Sequence, residues 1–251
     1  MTNPRGDGDG RPQPGKPGDM PSGRDGETAS DLALRAGLGE GARRLGVELD
    51  AEAIAGLITH LDELRQWGPR LNLVSAQDLN DPRLLLDRHA LDSLAAVPVV
   101  APLADRPEIV DLGSGAGFPG IPVAIAVRSP RAVLVEPRHR RANFLRASAR
   151  RLAPGVGIEV ANCRFEDLPG AGLGRGFHAV LSRAALPLAD LVAFARLWLR
   201  PGGRLVAFRG PTQVDEPVDL PGSGLRRMPD LSYRVASAGP QMRLAVWEKT
   251  G

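Results

Sequence analysis

The chain has 251 residues, 43% hydrophobic and 24% charged, the balance of one globular domain with a small appendage. Its 32 basic and 29 acidic residues leave a net charge of +3, so any nucleic-acid binding must come from a local basic patch rather than bulk charge. A single cysteine, Cys163, excludes an internal disulfide, no apolar run reaches the ~20 residues of a membrane span, and the amino terminus lacks the apolar core of a signal peptide; with no coiled-coil pattern, a cytoplasmic monomer is expected.

Residues 1–28 are crowded with glycine and proline, mixed with Arg5, Asp7, Asp9, Arg11, Lys16 and Asp19. Such a segment buries too little apolar surface to offset its chain entropy, which predicts a disordered tail. From Ala29 to Arg106 the pattern is helical. Ile54, Leu57, Leu61 and Leu64 recur at three and four residues on one helix face, with Asp50 as N-cap and Gly68-Pro69 as the stop. A second helix opens at Asp81-Pro82 and carries Leu84, Leu85, Leu86, Leu91 and Leu94. Its polar side holds Arg88, His89 and Asp92, with Arg88 and Asp92 spaced to pair. A lone histidine such as His89 is by itself most simply a hydrogen-bonded helix residue. Residues 29–106 are expected to pack as a helical extension on a core of residues 107–251.

After Pro107 strand-like runs at 108–112, 132–136, 157–161, 178–182, 203–208, 231–236 and 243–248 alternate with helices near 119–129, 138–152 and 187–199. This alternation predicts an α/β fold, a mostly parallel Rossmann-like sheet with helices on both faces. The first strand runs into Asp111-Leu112-Gly113-Ser114-Gly115-Ala116-Gly117-Phe118-Pro119-Gly120. A glycine turn entering a helix aims free N–H groups at a ligand. Asp111 before the turn repels a pyrophosphate and attracts a cation, which favours S-adenosylmethionine, whose sulfonium and α-ammonium are both positive. Gly115 to Gly120 also satisfies the dinucleotide fingerprint, so an NAD(P)-dependent oxidoreductase is one alternative, and an S-adenosylmethionine-dependent methyltransferase of another substrate, a small molecule or a protein, is the other. Glu136, closing the next strand, suits the ribose hydroxyls of either cofactor. A hairpin through Ala238-Gly239-Pro240 adds an antiparallel strand at the sheet edge, an ending usual in methyltransferases of this type and unusual in nicotinamide folds.

Four scattered histidines and one cysteine give no metal site, and Cys163 is a poor candidate for a methylation nucleophile. After the fourth strand the chain reads Leu181-Ser182-Arg183-Ala184-Ala185, not the Asp-Pro-Pro-Tyr type of segment that amino-group methyltransferases use. On residues 138–151, Arg138, Arg140, Arg141, Arg146, Arg150 and Arg151 form either a solvated helix face or an RNA surface, over a buried stripe of Ala142, Leu145, Ala149 and Leu152.

From Trp67 to Lys249 the chain resembles the bacterial small-subunit ribosomal RNA guanine-N7 methyltransferases, the glucose-inhibited division protein B family. Asn72-Leu73-Val74, Arg88-His89-Ala90-Leu91-Asp92-Ser93-Leu94, Asp111 to Pro122, Asn143-Phe144-Leu145, Arg164-Phe165-Glu166-Asp167, Ser182-Arg183-Ala184 and Phe208-Arg209-Gly210 match its segments in order. The His-x-x-Asp-Ser helix and Ser-Arg-Ala are the parts other methyltransferases lack. Arg209, a wider planar cation, stands where the family has lysine, and Met242-Arg243-Leu244 where it tends to have Arg-His-Leu.

The resemblance implies an S-adenosylmethionine site. Gly113 and Phe118 line its methionine and loop side, with Asp111 and Gly115 of the turn read above as further cofactor contacts, Glu136 holds ribose, Phe165 and Glu166 flank adenine, and Arg183 sits by the cofactor and the incoming base as the catalytic, positioning group. It also implies 16S ribosomal RNA or the small subunit as partner, with the target in the 530 loop. Arg138, Arg140 and Arg141 then become the leading phosphate contacts, and Arg88, His89 and Arg209 a second surface. Guanine N7 has a free lone pair and no proton to lose, so no general base is expected.

Overall fold

The computed structural model describes residues 29–152, 155–183, 187–210 and 224–251. The expectation for the tail 1–28 and the matches at Ala184 and Ala185 lie outside the described residues.

The N-terminal part is α1 (Ala29–Arg44), α2 (Ala51–Leu71), α3 (Ala76–Asn80), α4 (Pro82–Leu85), a π-helical turn (Leu86–Leu91), α5 (Asp92–Leu94) and α6 (Val97–Val100). Asp50 caps α2 by accepting from the Ala53 N–H at 2.8 Å, as expected. The stop at Gly68-Pro69 is overturned. The helix runs through both and ends on Asn72 in the left-handed region (φ 48°). Gly68 serves packing instead, since a Cβ there would lie 2.6 Å from Leu79. The helix opening at Asp81 is also not continuous; it widens into the π-helical turn that carries Arg88 and His89. The expected Arg88–Asp92 pair does not form. Asp92 faces inward at 6% exposure and finds buried partners, while exposed Arg88 reaches Asp78 at 3.0 Å.

Beyond Pro107 come β1 (Ile109–Leu112), α7 (Gly120–Ala126), β2 (Ala132–Val135), α8 (His139–Ala149), β3 (Ile158–Ala161), a 3-10 turn (Phe165–Ala171), β4 (Phe177–Arg183), α9 (Leu188–Trp198), β5 (Leu199–Arg209), β6 (Leu225–Arg227), β7 (Leu231–Tyr233) and β8 (Met242–Lys249). The sheet order is β3-β2-β1-β4-β5-β8-β6, with β7 also on β8; β3 through β5 are parallel and β8 runs antiparallel to β5. This is the Rossmann-like architecture expected, with two corrections. Strand β6 was not anticipated, and β8 lies inside the sheet, because its central Leu244–Trp247 run is buried on both faces while short β6 and β7 take the edge.

Alternation along each strand divides the core. Ile109, Leu134, Ala179, Leu181 and Val206 face α7, α8 and the N-terminal helices. Val110, Leu112, Val133, Val180 and Leu205 face α9 and the 3-10 turn. The N-terminal helices thus share one core with the sheet, and this brings α2, α5 and the π-helical turn to the carboxyl ends of β1 and β4. On α8, Ala142 and Leu145 are buried as expected and Phe144 and Ser148 are buried beside them, while Ala149 is half-buried and Leu152, past the helix end at Ala149, packs half-buried against the core.

Candidate active site

The loop after β1 folds across the end of β2, where the Gly113 and Ser114 N–H groups donate to the Val135 carbonyl at 2.9 and 3.0 Å. It then tightens as Gly117 N–H donates to Ser114 at 2.7 Å. Gly117 has φ 92°, and a Cβ would lie 2.6 Å from Ile121 and 3.0 Å from the His60 ring, so both conformation and space demand glycine. At Gly120 a Cβ would fall 2.7 Å from Asp111 Oδ2 and 2.5 Å from Leu134, which marks where α7 presses onto the sheet.

Asp111 is not at the surface of the site. Its side chain is 0% exposed, and Oδ2 accepts the Gly120 N–H at 3.0 Å. Burial pushes its carboxyl up to about 6, against the lowering effects of Ser114, the Gly120 N–H and the charge of Arg183. The direct pairing with a cationic ligand is therefore corrected: the carboxylate braces the loop from beneath, and Oδ1 makes no well-formed hydrogen bond among the described residues. The cause is tertiary, since α7 closes over the strand end. Phe118 is likewise buried, at 3%, with its ring 5.1 Å from His60 and 5.2 Å from His89, so it props the site rather than lining it.

Glu136 is held by two backbone donors, the Gly115 N–H at 3.0 Å and the Arg138 N–H at 2.8 Å. A carboxylate has about four lone-pair positions, so two remain for hydroxyl donors. A cavity of about 540 Å³ is lined by Leu112, Gly113, Val135, Pro137, Arg138, Arg164, Phe165 and Glu166; Glu136, 4% exposed, stands behind that wall between Val135 and Pro137 rather than in it. That volume falls within the roughly 300–1,000 Å³ of small-molecule sites. Three of the residues singled out from the sequence, Gly113, Phe165 and Glu166, line this cavity. Arg138 and Arg164 were not expected in the wall; one was assigned to RNA and the other noted only within its motif.

Arg183 closes β4 at 24% exposure. It donates to Asp92 Oδ2 at 3.1 Å and to the Arg88 carbonyl at 3.1 Å, and lies 5.5 Å over the Phe118 ring. The two segments singled out from the sequence, 91 residues apart, thus meet in one ion pair. His89 sits between them, with Nε2 3.1 Å from Asp78 and Nδ1 3.4 Å from Arg183. Burial and then the Arg183 charge push it below its ordinary value. Both ring nitrogens face protein groups, so His89 belongs to the support of Arg183 and not to a phosphate surface.

Among the other basic residues, Arg140 is exposed on α8, whereas Arg141 donates to the Asn72 carbonyl at 2.9 Å and fastens the end of α2. Beyond α8, Arg151 pairs at 3.0 Å with the buried Glu63. Arg209 ends β5 one residue beyond Phe208, the register partner of Arg183.

His60 was missed. It is 1% exposed, its Nδ1 lies 2.8 Å from Ser148 Oγ on α8, and its Nε2 makes no well-formed hydrogen bond among the described residues. Burial pushes it down to about 4. It links α2, α8 and the glycine loop. Its place three residues after Leu57 on the apolar face of α2 was the available signal.

The family model GidB, rRNA small subunit methyltransferase G, matches residues 53–223, from α2 through the loop, Glu136, Phe165 and Arg183. The chain belongs to this family. Similar curated proteins include Ribosomal RNA small subunit methyltransferase G of Myxococcus xanthus, 33% identical over 84% of this chain and 95% of that one, and its namesake from Burkholderia pseudomallei, 35% identical over 80% and 85%. Among solved structures, the fibrillarin pre-rRNA processing protein of Methanococcus jannaschii overlaps at a TM-score of 0.48, 18% identical over 63% of this chain and 74% of that one. The GidB match makes the loop that of a methyltransferase and sets the nicotinamide alternative aside. Among the described residues, no cluster of His, Cys, Asp and Glu can hold a metal, and no helix is long and apolar enough to cross a membrane.

Proposed function

We propose that this protein transfers the methyl group of S-adenosylmethionine to N7 of a guanine in the 530 loop of 16S ribosomal RNA. The observation that carries the reading is that the glycine-loop cavity and the Arg183–Asp92 pair stand at the carboxyl ends of the neighbouring strands β1 and β4, within the region of the family match. The cavity fits the cofactor in size, and the donors at its wall are Arg138 and Arg164, since the N–H groups of Gly113, Ser114, Gly115 and Gly117 already donate within the protein. Phe165 and Glu166 flank the adenine, Glu136 receives the ribose hydroxyls on its spare lone pairs, and the Gly113 to Gly117 backbone takes the methionine portion, held in shape by Asp111 below. When bound, S-adenosylmethionine supplies an electrophilic methyl group.

The residues of the chain then have one task, positioning. N7 of guanine carries a lone pair and no proton, so the chain supplies geometry rather than a general base; alignment of nucleophile and methyl is worth several kcal/mol. Arg183, held on one side by Asp92 and the Arg88 carbonyl, presents its remaining N–H donors toward the base. The exposed Arg140 and the rim arginines Arg138 and Arg164 draw the phosphate backbone to the cavity mouth. N7 lies on an edge that A-form RNA hides in its deep groove, which favours a loop guanine as target.

Mass mapping of methylated guanines in 16S ribosomal RNA, from cells with and without the gene, tests the reading. A single 7-methylguanine missing from the deletion strain and restored by the purified protein with S-adenosylmethionine is the expected result. Identical maps would overturn it.

A further inference from the structure

We propose that Tyr233 is a positioning residue for Arg183, acting through Asp92, so that the C-terminal hairpin forms part of the substrate side of the active site. This rests on the reading above that Arg183 faces the incoming guanine. Tyr233 ends β7, a three-residue strand paired with β8 and beyond the residues of the family match. Its side chain is 8% exposed, and its hydroxyl donates to Asp92 Oδ1 at 2.6 Å, the short length of an O–H···O⁻ bond. The other oxygen of the same carboxylate receives Arg183 at 3.1 Å. One buried acid is therefore shared between a phenol behind it and a guanidinium in front.

The physical consequence concerns Asp92. A buried carboxylate oxygen without a donor is costly, and the group turns to recover one. Tyr233 occupies Oδ1 and leaves only Oδ2 to Arg183. Without the hydroxyl, the carboxylate is free to rotate and take both oxygens to the guanidinium, the bidentate arrangement arginine favours. That pulls donors of Arg183 inward and away from the base. Burial, and then the Asp92 charge, push the phenol far above its ordinary value, so it remains a donor throughout the working pH range.

The test uses the full chain, S-adenosylmethionine, and small ribosomal subunits from cells lacking the gene. Tyr233→Phe keeps the ring and removes the hydroxyl. Its kcat is expected to fall about tenfold, with S-adenosylhomocysteine affinity within about twofold of wild type, and Tyr233→Phe/Arg183→Gln is expected to be no slower than Arg183→Gln alone. Unchanged kcat in Tyr233→Phe, or losses that multiply in the double variant, overturn the inference while Arg183→Gln remains slow. Normal kcat in Arg183→Gln overturns the reading of Arg183 and the inference with it. Tyr233 is the only tyrosine of the chain, so 3-fluorotyrosine labelling gives a single fluorine resonance for the folded protein. That resonance is expected to move in Arg183→Gln; an unmoved signal would show that hydroxyl and guanidinium are uncoupled.

Discussion

Asp111→Asn isolates the ionisation of the carboxylate beneath the loop. Burial pushes Asp111 from 3.8 up to about 6 in the folded protein, and pushes His60 from 6.5 down to about 4. As pH rises from 3.8 to 6, the unfolded chain releases an Asp111 proton that the native chain keeps, so the fold loses stability with rising pH. At about 1.4 kcal/mol per pH unit between the two values, the loss reaches about 3 kcal/mol by neutral pH. His60 acts in the opposite sense. As pH falls from 6.5 to 4, the unfolded chain binds a proton that the native ring refuses, and about 3 kcal/mol is lost toward acid. The two slopes oppose each other between about pH 4 and 6, and together they contribute a nearly flat profile. Asparagine removes the first slope and leaves the second. Its oxygen still accepts the Gly120 N–H, while its amide nitrogen replaces Oδ1, which makes no well-formed hydrogen bond among the described residues, at a pH-independent cost of about 1–3 kcal/mol. The stability of the variant relative to wild type should therefore improve by about 3 kcal/mol from about pH 4 to about pH 7, read as urea unfolding at unit intervals of pH with unchanged m. A relative stability constant across that range would refute the raised carboxyl, and with it the reasoning that α7 strips Asp111 of water.

His60→Phe should show the mirror image, gaining about 3 kcal/mol on wild type as pH falls from about 6.5 to about 4 in the same urea series. Gly117→Ala should lower stability by about 1–3 kcal/mol, for the positive φ and the contact with Ile121, and weaken S-adenosylhomocysteine binding by calorimetry. Arg140→Gln should reduce the salt dependence of ribosomal RNA binding by about one in log–log slope and leave S-adenosylhomocysteine affinity unchanged; a change in cofactor affinity would place Arg140 in the cavity wall. Arg141→Gln should instead destabilise the fold by about 0.5–1.5 kcal/mol, for loss of the bond to Asn72, visible as a lower urea midpoint.

Local chemistry determined much of this protein. The spacing of apolar runs, the cap at Asp50 and the glycine run from Gly113 to Gly120 act over a few residues, so strands β1 to β5, helices α7 to α9 and the loop were legible in the chain itself. Gly113, Phe165 and Glu166 could be placed near strand ends from the chain, and the structure lines one cavity with them. Tertiary structure decided which charged groups meet and which are covered. Asp111 and Phe118 passed from wall to support because α7 and the N-terminal helices close over them. His89 and Arg141 were turned from RNA toward Arg183 and Asn72, protein partners that lie far along the chain. Asp92 chose Arg183 and Tyr233 over its neighbour Arg88, across separations of 91 and 141 residues. Helix periodicity extends a few residues and says which face is apolar; a buried charge selects its partner by desolvation across the whole fold, and only the assembled core sets that environment.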